Sequence, residues 1–133
     1  MCANFRRAGR IITHLYDEQL RPTGLHATQF TVLQALSLAG ERTQGELGRM
    51  LALDSTTLTR TLAIMKRRRW IERQHGKDRR EWRFRLSRAG ELQLRHALPH
   101  WKKAQAQLQR QLGESQWNTL LNSLQHVTST VTE

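Results

Sequence analysis

The sequence has 133 residues, 38% hydrophobic and 25% charged, which suits one domain that buries a core without metal or disulfide staples. No apolar run approaches the ~20 residues of a membrane span, Arg6, Arg7 and Arg10 interrupt what would be a signal-peptide core, and Cys2, the one cysteine, excludes an intrachain disulfide, so a cytoplasmic protein is expected. The net charge of +11 calls for a polyanionic partner, and its distribution is local: Lys66 to Arg88 holds eleven Lys and Arg against three acidic residues.

In chain order, Phe5, Ala8, Ile12 and Leu15 hold one face of a first helix, extended by Leu20 and stopped by Pro22 and Gly24. A second half-buried helix carries Phe30, Leu33 and Leu36 and ends at Gly40. Thr43 and Glu46 then have capping-box spacing for a short third helix, with Leu47, Met50 and Leu51 as its buried stripe.

Only Ala52 and Leu53 separate that helix from the stretch DSTTLTRTLAIMKRRRW, Asp54 to Trp70. Asp54 can accept from the free N–H groups of the first turn, with Leu53 and Leu58 placed as a hydrophobic staple. Leu58, Leu62 and Met65 recur at helical spacing and fix the buried face, which leaves Ser55, Thr56, Thr59, Arg60 and Arg67 outward. Short hydroxyls at a helix start followed by arginine suit phosphates and base edges in a major groove. Two short capped helices with a tight connection, the second more basic outside, read as a helix-turn-helix.

After Trp70 the period changes to two. Trp82, Phe84 and Leu86 alternate with Arg83 and Arg85, so one face can lie on a core while the other carries positive charge. QHGKDRRE, between this strand and a shorter one begun by Trp70 and Ile71, reads as the tip of a hairpin. Ser87 caps a long helix striped by Leu94, Leu98, Trp101, Leu108 and Leu112, which Pro99 should kink or divide. A last helix carries Trp117, Leu120, Leu121, Leu124 and Val127 on a stripe that needs a partner. No repeat or linker marks a second domain.

This order of elements resembles the MarR family of winged-helix transcriptional regulators over nearly the whole chain. The resemblance rests on GLHATQFTVL (Gly24 to Leu33), LTRTL (Leu58 to Leu62), RRRWIER (Arg67 to Arg73), the wing pattern Asp78-x-Arg80 and RLSRAG (Arg85 to Gly90). It implies a mainly α fold with a small β wing: a winged helix-turn-helix at 25–90, flanked by dimerisation helices at 3–21 and 91–131, in one domain spanning 1–133. It further implies a homodimeric repressor on a palindromic double-stranded DNA operator, released by a small effector or by oxidation. Ser55, Thr56, Thr59, Arg60 and Arg67 would meet bases and phosphates, with Arg79 beside Arg80 on the wing. Arg80 would enter the minor groove, and Asp78 would hold the wing arginines by ion pairing. His14 and Tyr16 are the candidate effector residues and Cys2 the candidate redox residue.

Three positions depart from the family pattern. Arg69 stands where a Gly with positive φ usually ends the helix, His26 where Thr often caps the second helix, and Pro99 inside the long one. His96 and His100 have the spacing of a two-imidazole metal site, but no further ligand completes it, and they read as solvated helix residues. No metal, cofactor or membrane partner is implied. Catalysis finds no Gly-rich phosphate loop and no nucleophile with a placed base. The competing reading is an interaction module, a winged-helix dimer that binds protein or coats nucleic acid without sequence choice.

Overall fold

The computed structural model describes residues 1–131. It begins with α1 (Cys2–Leu20), which ends in a 3-10 turn, Arg21–Thr23, holding Pro22; Gly24 closes it at φ +75°. Only Leu20 of α1 is buried, and Phe5 near its free end is exposed.

Helix α2 (Ala27–Ala39) is the centre of the molecule, with six of its thirteen residues buried. Phe30, Val32, Leu33 and Leu36 are nearly or wholly inaccessible, because α1, the next two helices, the last strand and the long helix after it close around it. Its start is capped from two directions: Asp17 Oδ1 on α1 accepts from the Ala27 N–H at 2.7 Å, and Gln29 Oε1 from the His26 N–H at 3.0 Å. A carboxylate borrowed from the neighbouring helix thus compensates for the missing Thr.

A two-residue strand β1 (Arg42–Thr43) leads into α3 (Gln44–Leu51). The capping box is present: Thr43 Oγ1 accepts from the Glu46 N–H at 3.1 Å and Glu46 Oε2 from the Thr43 N–H at 2.8 Å. Of the expected stripe Leu47 is fully buried and Leu51 partly, but Met50 lies at the surface, since an eight-residue helix offers the core only one narrow side. Ala52 turns the chain at φ +49° into α4 (Ser55–Arg67). Asp54 Oδ1 accepts from the Thr57 N–H at 2.8 Å, and Leu58, Thr61, Leu62 and Met65 are buried.

The end of α4 answers the question raised by Arg69, which adopts φ +61° although it is not glycine. The Arg69 N–H donates to the Lys66 carbonyl and the Trp70 N–H to the Met65 carbonyl, both at 3.0 Å. This is the Schellman pattern, completed by burial of both Met65 and Trp70.

Strands β2 (Ile71–His75) and β3 (Trp82–Leu86) pair antiparallel from Ile71↔Leu86 to His75↔Trp82, so Gln74 and His75 belong to the ladder and the tip shrinks to six residues. Strand β1 adds to the other edge of β3, making three strands in the order β1-β3-β2 rather than a bare hairpin. Phe84 is buried and Leu86 partly so, but Trp82 extends beyond the core and is exposed.

Helix α5 (Arg88–Leu112) runs unbroken past Pro99, contrary to a division there. Pro99 and Arg95, whose carbonyl loses its donor, are both exposed, so water can serve that oxygen. Gly113 separates it from α6 (Glu114–Val131), which buries no residue and exposes Leu121, Leu124 and Val127.

Candidate nucleic-acid interface

The exposed surface of α4 holds Ser55, Thr56, Thr59, Arg60 and Arg67, while Leu58, Leu62 and Met65 are buried. Among the described residues Ser55, Thr56, Arg60 and Arg67 have no side-chain hydrogen bond or ion pair. The free N–H groups of the first turn and the positive end of the helix dipole lie at the same place, which favours an anion there. The Asp54 carboxylate partly offsets that field, and its pKa is lowered, chiefly by the bond from the Thr57 N–H. Thr59 differs from its neighbours: its hydroxyl accepts from Gln44 Nε2 at 2.8 Å.

The wing presents Lys77, Arg79 and Arg80 at its tip, exposed and without ion pairs among the described residues. Asp78 acts otherwise than the expected ion pairing. Its Oδ1 accepts from the Arg80 backbone N–H at 3.0 Å, an Asx turn, and it makes no salt bridge among the described residues. The tip is closed by Gly76 N–H to the Glu81 carbonyl at 2.9 Å and Glu81 N–H to the Asp78 carbonyl at 3.0 Å. Asp78 therefore orders the backbone that carries Arg80 and leaves the guanidinium free.

Not all of the basic segment is available to a partner. Arg83 is enclosed by carboxylates, with Glu81 Oε1 at 2.6 Å, Glu41 Oε1 at 3.5 Å and Glu46 Oε2 at 3.9 Å, and its pKa is raised, first by the bond to Glu81. Glu46 also closes the α3 capping box, so Arg83 fastens the wing to the helix-turn-helix. The pKa of Glu46 is lowered, first by the Thr43 N–H, against an opposing effect of desolvation, and further by Arg83 and Arg42. Arg85 pairs with Glu72 at 3.2 Å, while Arg73 lies 4.0 Å over the Trp82 ring, which itself stacks on His75. The expected positive face of β3 is thus largely neutralised. Neither the Arg83 nest nor the Gln44 contact was foreseeable, because both join residues brought together only by the fold.

The other candidates lie elsewhere. His14 and Tyr16 sit on opposite sides of α1: His14 borders a cleft of about 350 Å³ with Asp17, Glu18, Arg21, Leu25 and His26. Tyr16 lines a smaller one of about 210 Å³ with Ile12, Phe30, Thr31 and Trp101. Its hydroxyl donates to Gln105 Oε1, and burial raises its pKa. Phe30 and Trp101 stack at 5.5 Å in the same wall. Cys2, the one thiol of the sequence, is exposed on the first turn of α1. The His96 and His100 rings are 6.0 Å apart and edge-on, and among the described residues no cluster of three potential metal ligands forms. No described helix is long and apolar enough to cross a membrane.

A capped helix-turn-helix followed by a three-stranded wing, with long helices at both chain ends, defines a winged-helix regulator. The model of the MarR family matches residues 23–81. The solved structure of the M. tuberculosis transcriptional regulator MosR in complex with DNA is 33% identical, covers 98% of this chain and 95% of its own, and superposes with a TM-score of 0.87. A mutant of E. coli MarR complexed with operator DNA is 25% identical, with 94% and 91% coverage and a TM-score of 0.85. The HTH-type transcriptional regulator YwoH of Bacillus subtilis (strain 168) is 36% identical over 75 residues, which is 56% of this chain and 55% of the length of YwoH. The chain belongs to the MarR family, a family of transcriptional regulators rather than enzymes.

Proposed function

We propose that the protein is a homodimeric transcriptional repressor that binds a palindromic double-stranded DNA operator in the cytoplasm. The observation that carries this reading is the exposed face of α4, where Ser55, Thr56 and Arg60 have no internal partner beside a wing tip whose Arg79 and Arg80 are equally free. Ser55, Thr56, Thr59 and Arg60 meet base edges and phosphates in the major groove, Arg67 a flanking phosphate, and Arg80 the narrow minor groove beside it, with Arg79 on the backbone. Two similar proteins support the choice of partner, since MosR and a mutant of E. coli MarR have each been solved in complex with DNA. Residues 25–90 form the DNA-binding part in this reading, and the helices at 3–21 and 91–131 pair two copies. A small aromatic effector would enter beside Tyr16, whose cleft is walled by Phe30 and Trp101, rather than beside His14.

Selection from random duplex DNA tests the proposal. One palindrome with half-sites about one turn apart (~34–36 Å) should be enriched, and bound at least ~10³-fold more tightly than random duplex at physiological salt. Equal affinity for all duplexes overturns it in favour of an interaction module that coats nucleic acid without sequence choice.

A further inference from the structure

We infer that Gln44 is a specificity-determining positioning residue, which fixes the Thr59 hydroxyl as a hydrogen-bond donor toward a base edge; this rests on the proposed role of α4. Gln44 opens α3, fifteen positions before Thr59, and its side chain crosses to α4 to donate from Nε2 to Thr59 Oγ1 at 2.8 Å. Threonine in a helix ordinarily turns its hydroxyl back on the carbonyl four residues earlier. Thr61 does so to Thr57 at 2.8 Å and Thr31 to Ala27 at 2.9 Å. Thr59 makes no such bond among the described residues. The amide supplies a donor instead, occupies one lone pair of Oγ1, and leaves the hydroxyl proton free to point outward.

The exposed hydroxyls at the start of α4 are therefore not equivalent. Among the described residues Ser55 and Thr56 make no side-chain hydrogen bond and can donate or accept, Thr57 donates to Asp54 Oδ2 at 2.7 Å, and Thr59 is held by a second helix. Guanine N7 and O6, adenine N7 and thymine O4 accept in the major groove, while cytosine presents its N4 amino group as a donor. A hydroxyl biased toward donation discriminates against cytosine at the contacted position. A free threonine would not.

The test is operator selection with the full-length protein and its Thr59→Val, Gln44→Ala, Gln44→Met and Gln44→Glu variants, each checked by thermal unfolding. Thr59→Val identifies the base step that the hydroxyl contacts. Gln44→Ala should relax preference at that same step and weaken the preferred duplex about five- to tenfold, leaving random-duplex affinity and the salt dependence unchanged. Gln44→Met, which keeps the length without the amide, should behave alike and serves if the alanine variant unfolds. Gln44→Glu places an acceptor against the hydroxyl, receives its hydrogen bond so that Oγ1 faces outward as an acceptor, and should shift the step toward cytosine. In the Thr59→Val background Gln44→Ala should have no further effect. An unchanged preference at that step in the Gln44 variants overturns the inference, as does an equal loss on preferred and random DNA, which would mark Gln44 as a phosphate contact. Absence of any preferred duplex for the wild-type protein sinks the operator-binding proposal itself, and this inference with it.

Discussion

The Ser87 hydroxyl donates to the Arg69 carbonyl oxygen at 2.5 Å, so the cap of α5 is bonded directly to the left-handed residue that ends α4. The junction is tightened further by the Ser87 N–H on the Trp70 carbonyl at 3.0 Å and by the Gly90 N–H on Ser87 Oγ at 3.0 Å. A Cβ on Gly90 would lie 1.9 Å from the Trp70 carbonyl oxygen. The end of the exposed α4 face, the root of the wing and the start of the long helix therefore meet within a few residues, and their relative orientation is set there.

Replacing Arg69 by glycine should stabilise the protein. A left-handed conformation costs a residue with a Cβ about 1–2 kcal/mol, part of which glycine returns through the greater freedom of its unfolded chain, leaving a gain of about 0.5–1 kcal/mol. Gly90→Ala should destabilise by about 1–3 kcal/mol or more, since backbone must move to admit the methyl group. Urea unfolding at one fixed protein concentration measures both, and an Arg69→Gly protein no more stable than wild type would show that the Schellman bonds already absorb the strain.

The positive φ of Arg69 follows a local pattern, the family's glycine at the end of this helix, although the sequence left open whether arginine bears the strain or the helix ends differently. The caps at Thr43, Asp54 and Ser87 and the apolar faces of α4 and β3 were legible for the same reason: they are local patterns. What escaped was tertiary. Strand β1 is two residues long and exists only because β3 offers an edge, Asp17 caps a helix ten residues away, and Arg83 finds three carboxylates from separate segments. Charge counting overstated the positive face of β3 because composition does not reveal which arginines already have partners.

Asp78 and Arg80 should separate by their response to salt and to isosteric replacement. Arg80→Ala should weaken operator binding and lower the slope of log affinity against log salt by about one, because a cation in the electronegative minor groove displaces a counterion much as a phosphate contact does. Asp78→Asn keeps the acceptor for the Arg80 N–H and should bind at least as well as wild type. Asp78→Ala loses that acceptor and should bind the operator more weakly despite shedding a negative charge. Fluorescence anisotropy over a salt series distinguishes these cases; an Asn variant as impaired as the Ala variant would restore the ion-pairing role.

Acid should loosen the helix-turn-helix at its caps. Asp54 and Glu46 have lowered pKa values, held down chiefly by the N–H groups of Thr57 and Thr43 respectively. A carboxylate whose folded pKa lies below its unfolded one contributes stability that is complete above the unfolded value and is lost as pH falls through the folded one. The loss should therefore begin below about pH 4.5, the upper edge of the ordinary carboxylate range. Asp54→Asn preserves a cap without titrating, so its urea midpoint should fall less than that of wild type over the same acid range. Parallel curves for the two proteins would assign the acid loss to other carboxylates.

The stripe on α6 predicts where two copies separate. Trp117 and Leu120 are only partly buried, and Leu121, Leu124 and Val127 remain 45%, 38% and 42% exposed, although they share one helix face. Phe5 of α1 is also exposed, at 46%. Fully burying one leucine is worth about 1.5–3 kcal/mol, and in a two-fold dimer each position counts twice. The double variant Leu121→Glu, Leu124→Glu should thus sediment as a monomer at concentrations where wild type is dimeric, with the helical circular dichroism of the winged-helix core retained. Because a palindrome is read by two copies at once, the monomer should lose affinity for the full operator far more than for an isolated half-site. Equal losses on both would mean that the charges disturb α4 rather than the pairing of copies, and an unchanged dimer would place the interface on another face.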